Sequence, residues 1–190
     1  MEKNNVVFKF MRRRAILRLI RDKKIALPES EDSVSIPKDM RWNEQQMTAR
    51  ILRGLEMGWS IPKIANALME VIGKNKKAAV RHARTRVTSA ENHGRLDSYR
   101  NLSDQGTVMV KIWIATPDSR TRQWHLDIDG EEQDVDSPFS NGLMFPGDGT
   151  GPPREVWNCR CSMGTRIIGF RRKDGSISYV NSGMDDTIHE

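Results

Sequence analysis

Residues 107–116 read TVMVKIWIAT, and they divide the chain in two. The run is rich in β-branched residues and alternates in a period of two, the grammar of a strand. The sequence before it is helical in pattern, and the sequence after it is broken by glycines, prolines and acids into turns. The expected fold class is therefore α+β, an N-terminal helical half followed by a small, loop-rich mixed β unit.

Upstream of the strand, Met47, Ile51, Leu52 and Leu55 recur at helical spacing from Asn43 to the glycine of EMGWS. A second helix is expected after Ser60, which is a capping residue type, with Pro62 near its first turn and Ile64, Ala65, Leu68 and Ile72 on one face. The third stretch, KAAVRHARTRVTSAENHGRLDSYRNL, is long and helical in composition, with Ala79, Ala83, Val87, Ala90 and Leu96 inward and Gly94 as a weak point. Further back, Phe10, Ile16, Leu17 and Ile20 form the apolar stripe of a basic helix, and LPESEDSVSIPKD has the composition of a linker. The expected layout is a basic arm at 1–27, a linker at 28–40, a helical region at 41–104, a β unit at 105–182 and a tail at 183–190.

Both cysteines of the chain lie downstream in VWNCRCSMG, as Cys159 and Cys161. In extended backbone, residues two apart project to the same face, with Cα atoms about 6.5 to 7 Å apart. That separation is at the limit for an unstrained disulfide. A shared face suits packing in a core and chelation of a metal equally well. After the cysteines, two short strands are expected around the KDG turn.

Two cysteines in 190 residues, with no apolar run long enough to span a bilayer, argue against disulfide-built and transmembrane classes. The arginine-studded N-terminus does not resemble a secretory signal, so a soluble intracellular protein is expected. The net charge of +6 conceals an asymmetry. Residues 1–100 hold 22 Lys+Arg against 11 Asp+Glu, and residues 101–190 hold 9 against 14. The basic half suits an acidic partner, and Arg12, Arg13, Arg14, Arg18, Arg21, Lys23 and Lys24 are candidates for non-specific contact with double-stranded DNA.

Between the strand and the cysteines, TPDSRTRQWHLDIDG supplies His125 together with Asp118, Asp127, Asp129, Arg120 and Arg122. An ordered series follows from Trp113. It runs through Asp118, Arg120, Arg122 and His125, then Asp129 and Gly130, Pro138 and Phe139, Pro146 to Asp148, and finally Asn158, Cys159, Arg160 and Cys161. This series resembles the minor head protein F family of Mu-like tailed bacteriophages, often called the phage head morphogenesis domain. The resemblance covers about residues 45 to 165. One departure is Arg86, which stands where the family's A-R-T-E run has its acid. The resemblance implies a virion component inside the head, present in the host cytoplasm during assembly. It also implies portal and capsid proteins as partners, a role in head assembly and DNA packaging or delivery, and no established catalysis. No membrane and no small-molecule substrate are expected.

For the site itself two readings stay open. In one, Cys159, Cys161 and His125 ligate zinc, Zn2+, with Asp118 or Asp127 as the fourth ligand. In the other there is no metal, and Asp118 and Asp127 hold the loops by pairing with Arg120, Arg122 or Arg160. In both, the two cysteines sit beside His125. A rival class is a metal-dependent hydrolase or nuclease with His125 as base and Asp118, Asp127 or Glu155 as ligand or acid. The chain contains no Gly-rich phosphate loop, HExxH helix or nucleophile elbow to frame such chemistry. A second rival is a basic DNA-binding packaging protein, which leaves the acidic loops at 127–153 without a purpose.

Overall fold

The structure is a computed structural model, and it describes residues 44–180. The arm with Arg12, Arg13, Arg14, Arg18, Arg21, Lys23 and Lys24, the linker and the tail lie outside the described residues. Among the described residues three helices come first: α1 (Glu44–Glu56), α2 (Ile61–Met69) and α3 (Lys76–Asp104). Then come β1 (Thr107–Ile114), the one-turn α4 (Gln123–Leu126), β2 (Glu132–Asp134), the one-turn α5 (Pro153–Val156), β3 (Ser162–Arg171) and β4 (Ile177–Tyr179). The strands form one antiparallel sheet in the order β2-β1-β3-β4. The chain is α+β, with its longer helices first and the small sheet, with two one-turn helices, after them.

α1 and α2 are short amphipathic helices that cover the first half of α3. Met47 and Ile51 of α1 meet Ile64, Ala65 and Leu68 of α2 and Ala79, Ala83 and Val87 of α3 in one apolar cluster. Gly54 permits the close approach, since a Cβ there would stand 2.5 Å from Ile64 Cγ1. Pro62 lies in the first turn of α2 as its spacing suggests, although the Ser60 side chain makes no capping bond. α3 is capped by Asn75, whose side chain accepts the Ala78 N–H. It runs unbroken through Gly94 for 29 residues, about 43 Å. The glycine's local cost of about 1 kcal/mol is outweighed by packing along the helix.

The second half of α3 lies against the sheet. Leu96 joins Met109 and Trp113 of β1, Met163 of β3, and Val135, Phe139, Leu143 and Phe145 from the loops in a second cluster, which also holds both cysteines. β1 pairs with β3 along its whole length, Thr107 opposite Phe170 and Ile114 opposite Ser162, with one irregularity between Val108 and Met109. β2 and the two one-turn helices fall where the sequence shows only loop composition. Segments of three and four residues are too short to display a period.

Alternation along β1 places Lys111 on the inner face, where it is fully buried. Its Nζ donates to the Met144 carbonyl at 2.8 Å and stands 4.8 Å from the centre of the Phe139 ring. Burial, aided by the charge of Arg100, lowers its pKa from 10.5 to about 8, against the pull of Asp136 and Asp148. That drop corresponds to something on the order of 3 kcal/mol against the charged form. Between about pH 8 and pH 10.5 the unfolded chain keeps a proton that the folded chain has released, so this residue's contribution to stability rises with pH. Lys111→Met removes the titration and keeps the volume. Urea unfolding should show the wild type gaining roughly 2 to 3 kcal/mol on the variant between pH 7 and pH 10.5; a pH-independent difference would refute the burial argument.

Candidate functional site

Past β1 the chain doubles back, and Arg122 stands at the N-cap of α4, the turn that carries His125. Arg122 Nη2 donates to the Trp157 carbonyl at 2.6 Å, tying this turn to the end of α5. There Asn158 takes a left-handed φ of 59°, a conformation that asparagine tolerates better than most residues. Its backbone N–H donates to Thr85 Oγ1 at 2.8 Å, and its Oδ1 accepts from Arg84 Nη1 at 2.6 Å, so α3 holds the reversal in place. The chain then leaves in extended form, and side chains alternate. Cys159 and Cys161 point inward and are buried, whereas Arg160 points the other way.

The alternation brings both thiols to His125. Cys159 Sγ lies 3.8 Å and Cys161 Sγ 3.6 Å from His125 Nδ1, and the three donor atoms are all within 4.8 Å of one another. On the other side of the ring, Nε2 is 2.9 Å from Glu155 Oε2. The same oxygen accepts the Trp124 indole N–H at 2.7 Å. Because that oxygen is an acceptor, the network assigns the proton to Nε2 and turns the lone pair of Nδ1 toward the sulfurs. The Trp113 ring meets His125 edge to face, with centroids 5.2 Å apart. Its Nε1 is buried and finds no acceptor among the described residues.

The two thiols act on each other. The hydrogen bond from Cys159 is the main influence that pulls the Cys161 thiol down to about 4. A bond from the Thr116 backbone assists it, and burial opposes it. Cys159 is pushed up in turn, first by holding its proton toward Cys161 and then by burial. Two buried thiols facing one imidazole nitrogen have the donor chemistry of a soft-metal site.

Asp118 and Asp127 are not in this group. Both oxygens of Asp118 lie on the Arg160 guanidinium, Oδ1 at 2.5 Å from Nη2, and its Oδ1 also accepts the Arg120 backbone N–H at 2.9 Å. These bonds, the Arg160 pair first, hold its carboxyl well below the usual carboxylate range. Arg120 itself is exposed, with a long 3.4 Å contact to Asp118. Asp127 is exposed and accepts from Gln123 Nε2 at 2.8 Å.

The other motif residues brace loops. Asp129 Oδ1 accepts the Ala115 N–H, and the Gly130 N–H donates to the Trp113 carbonyl. Beside the exposed Pro138, Phe139 is buried edge-on against Trp113 with centroids 5.2 Å apart. Gly147 has φ +83° and lies so close to α3 that a Cβ would stand 3.2 Å from the Ser89 nitrogen. Asp148 accepts the backbone N–H groups of Met144 and Thr150.

Asn92 carries no sequence signal beyond its place on an inward face of α3. Its Nδ2 donates to the carbonyls of Pro146 at 2.8 Å and Cys161 at 3.2 Å, and its Oδ1 accepts from the Met163 N–H and from Arg95. One buried amide thus joins the PGD turn, the end of NCRC and the start of β3 to the long helix.

Residues 45–164, which hold every element of this site, match the family described as phage Mu protein F like protein. The chain belongs to that family. It is also 34% identical over 120 residues to a protein of Enterococcus faecalis named NAD(+)--arginine ADP-ribosyltransferase EFV. That match takes in 62% of this chain and 25% of the relative, so the chain spans a quarter of that protein's length. No solved structure matches the chain.

Asn92→Leu strands two carbonyls and an N–H in the interior, and it should cost about 2 to 4 kcal/mol in chemical unfolding. Arg120→Ala, at an exposed site, should stay within about 0.5 kcal/mol of wild type. Equal costs for the two would contradict the role given to Asn92.

Proposed function

We infer from membership of the family that this is a phage head morphogenesis protein. We propose that it is a minor structural component of the virion, held inside the head near the portal, and that it acts in head assembly and in packaging or delivery of DNA. The observation that carries this reading is the employment of the motif. Asp118, Arg122, Asp129, Phe139, Asp148, Asn158 and Arg160 are engaged in tying loops to α3, β1 and one another. A rigid, loop-covered module of this kind suits a docking role. The basic balance of residues 1–100 suits non-specific contact with packaged DNA.

The name of the enterococcal relative raises transfer of ADP-ribose as a second reading. What speaks against it here is the site. The His125 cluster is buried. A cleft of about 180 Å3 between α3 and the 144–150 loop is well below the ~300 to 1,000 Å3 usual for small-molecule sites. Its carboxylate, Asp148, is already occupied by backbone N–H groups.

Two measurements separate the readings. Mixed with portal and capsid proteins of the same phage, the full chain should co-sediment with at least one of them. Incubated with labelled NAD+ and an arginine-bearing acceptor, it should transfer no label. Absence from purified virions by mass spectrometry, with no binding to either protein, would overturn the structural reading. In the same preparations, affinity for duplex DNA should fall steeply with added salt and depend little on sequence, and deletion of residues 1–27 should weaken it.

A further inference from the structure

We propose that His125 Nδ1, Cys159 Sγ and Cys161 Sγ hold a structural Zn2+ ion, with Glu155 as the carboxylate that positions the imidazole. The spacing of the donors carries the proposal. A tetrahedral zinc with bonds of ~2.3 Å to sulfur and ~2.05 Å to nitrogen keeps a sulfur and a nitrogen ligand about 3.6 Å apart. The two observed distances are 3.6 and 3.8 Å. The same geometry sets the two sulfurs about 3.8 Å apart, and with all three donors already within 4.8 Å of one another an ion needs at most a small closing shift of the thiols. Binding uses the Nδ1 lone pair and replaces whatever protons the two thiols still hold, which leave to solvent.

A second observation is independent of the sulfurs. Metal-ligating histidines almost always donate their other ring N–H to a carboxylate, carbonyl or water, which fixes ring and tautomer. Glu155 occupies that place at 2.9 Å from Nε2, is itself 7% exposed, and is held by the Trp124 indole. Neither Asp118 nor Asp127 closes the tetrahedron, because Asp118 is on Arg160 and Asp127 is exposed on Gln123. Among the described residues no further His, Cys, Asp or Glu joins the group, so a water or other small ligand takes the fourth position. The Trp113 ring, whose buried N–H finds no acceptor among the described residues, packs edge to face against the same imidazole. Exposures of 0% for His125, 2% for Cys159 and 3% for Cys161 close the site to a substrate, so the ion's work is to fasten α4, α5 and the entry to β3 together. The proposal does not rest on the role in the head and can fail or hold without it.

The test uses the full chain, reduced and purified without chelators. Elemental analysis should find about one zinc per chain, as a single tetrahedral site requires. After removal of zinc, titration with Co2+ should give a thiolate-to-metal charge-transfer band and the intense visible bands of tetrahedral cobalt. Cys159→Ser and Cys161→Ser should lose that charge-transfer intensity. Glu155→Gln keeps all three ligands, and in competition with a chromophoric chelator it should weaken zinc binding about 10- to 100-fold. If the serine variants do not fold, the wild-type cobalt spectrum and the Glu155→Gln titration still decide. Well under one zinc per chain, with both thiols titrating as free and no charge-transfer band, would overturn the site. Unchanged affinity in Glu155→Gln would overturn the positioning role.

Discussion

The buried amide of Asn92 is the constraint on which the second half of the molecule depends. The interior of a helix offers no free backbone donors or acceptors to a neighbour, because its own ladder consumes them; only the ends are open. The loops that face α3 carry unpaired carbonyls and N–H groups that cannot be buried without partners. Asn92 resolves the conflict by offering two donors and an acceptor from inside the helix to three points on the facing chain. The NCRC segment, the PGD turn and the start of β3 acquire fixed positions because one side chain reaches all of them.

From that anchor the geometry of the cysteine segment follows. Asn158 turns left-handed, Thr85 and Arg84 hold it there, and extended backbone then distributes the next three side chains by strict alternation. Arg160 is sent to Asp118 and thereby pins the loop after β1. Cys159 and Cys161 are sent to His125, which that same loop delivers on α4. The two halves of the motif lie about forty residues apart in sequence. They close on each other through one charge-assisted pair outside and one thiol and imidazole cluster inside.

The β unit is otherwise sparing in regular structure, with two strands and two helices of three or four residues each. Beside its apolar cluster, side chains that bridge loops hold it together, which accounts for the Asp, Arg and Asn at its turns. The membership of this chain in the phage Mu protein F like family and the structural employment of those residues point the same way. The motif describes a fold-holding network.

The sequence by itself determined the helical first half, the α+β class and the strand at 107–114, because burial of one face imposes a period that local reading detects. It also determined that Cys159 and Cys161 share a face, since alternation is a property of the backbone. Tertiary structure alone decided which carboxyl group stands beside His125. Glu155, on a one-turn helix thirty residues away, takes that place, and Asp118 and Asp127, though close in sequence, do not. Sequence proximity favours near acids, but the choice is made by where the chain returns, and the return depends on packing against α3. Lys111 follows the same logic in reverse. Alternation assigned it to a face, and only the loop carrying Met144 and the ring of Phe139 made that face a place where an ammonium group could be buried.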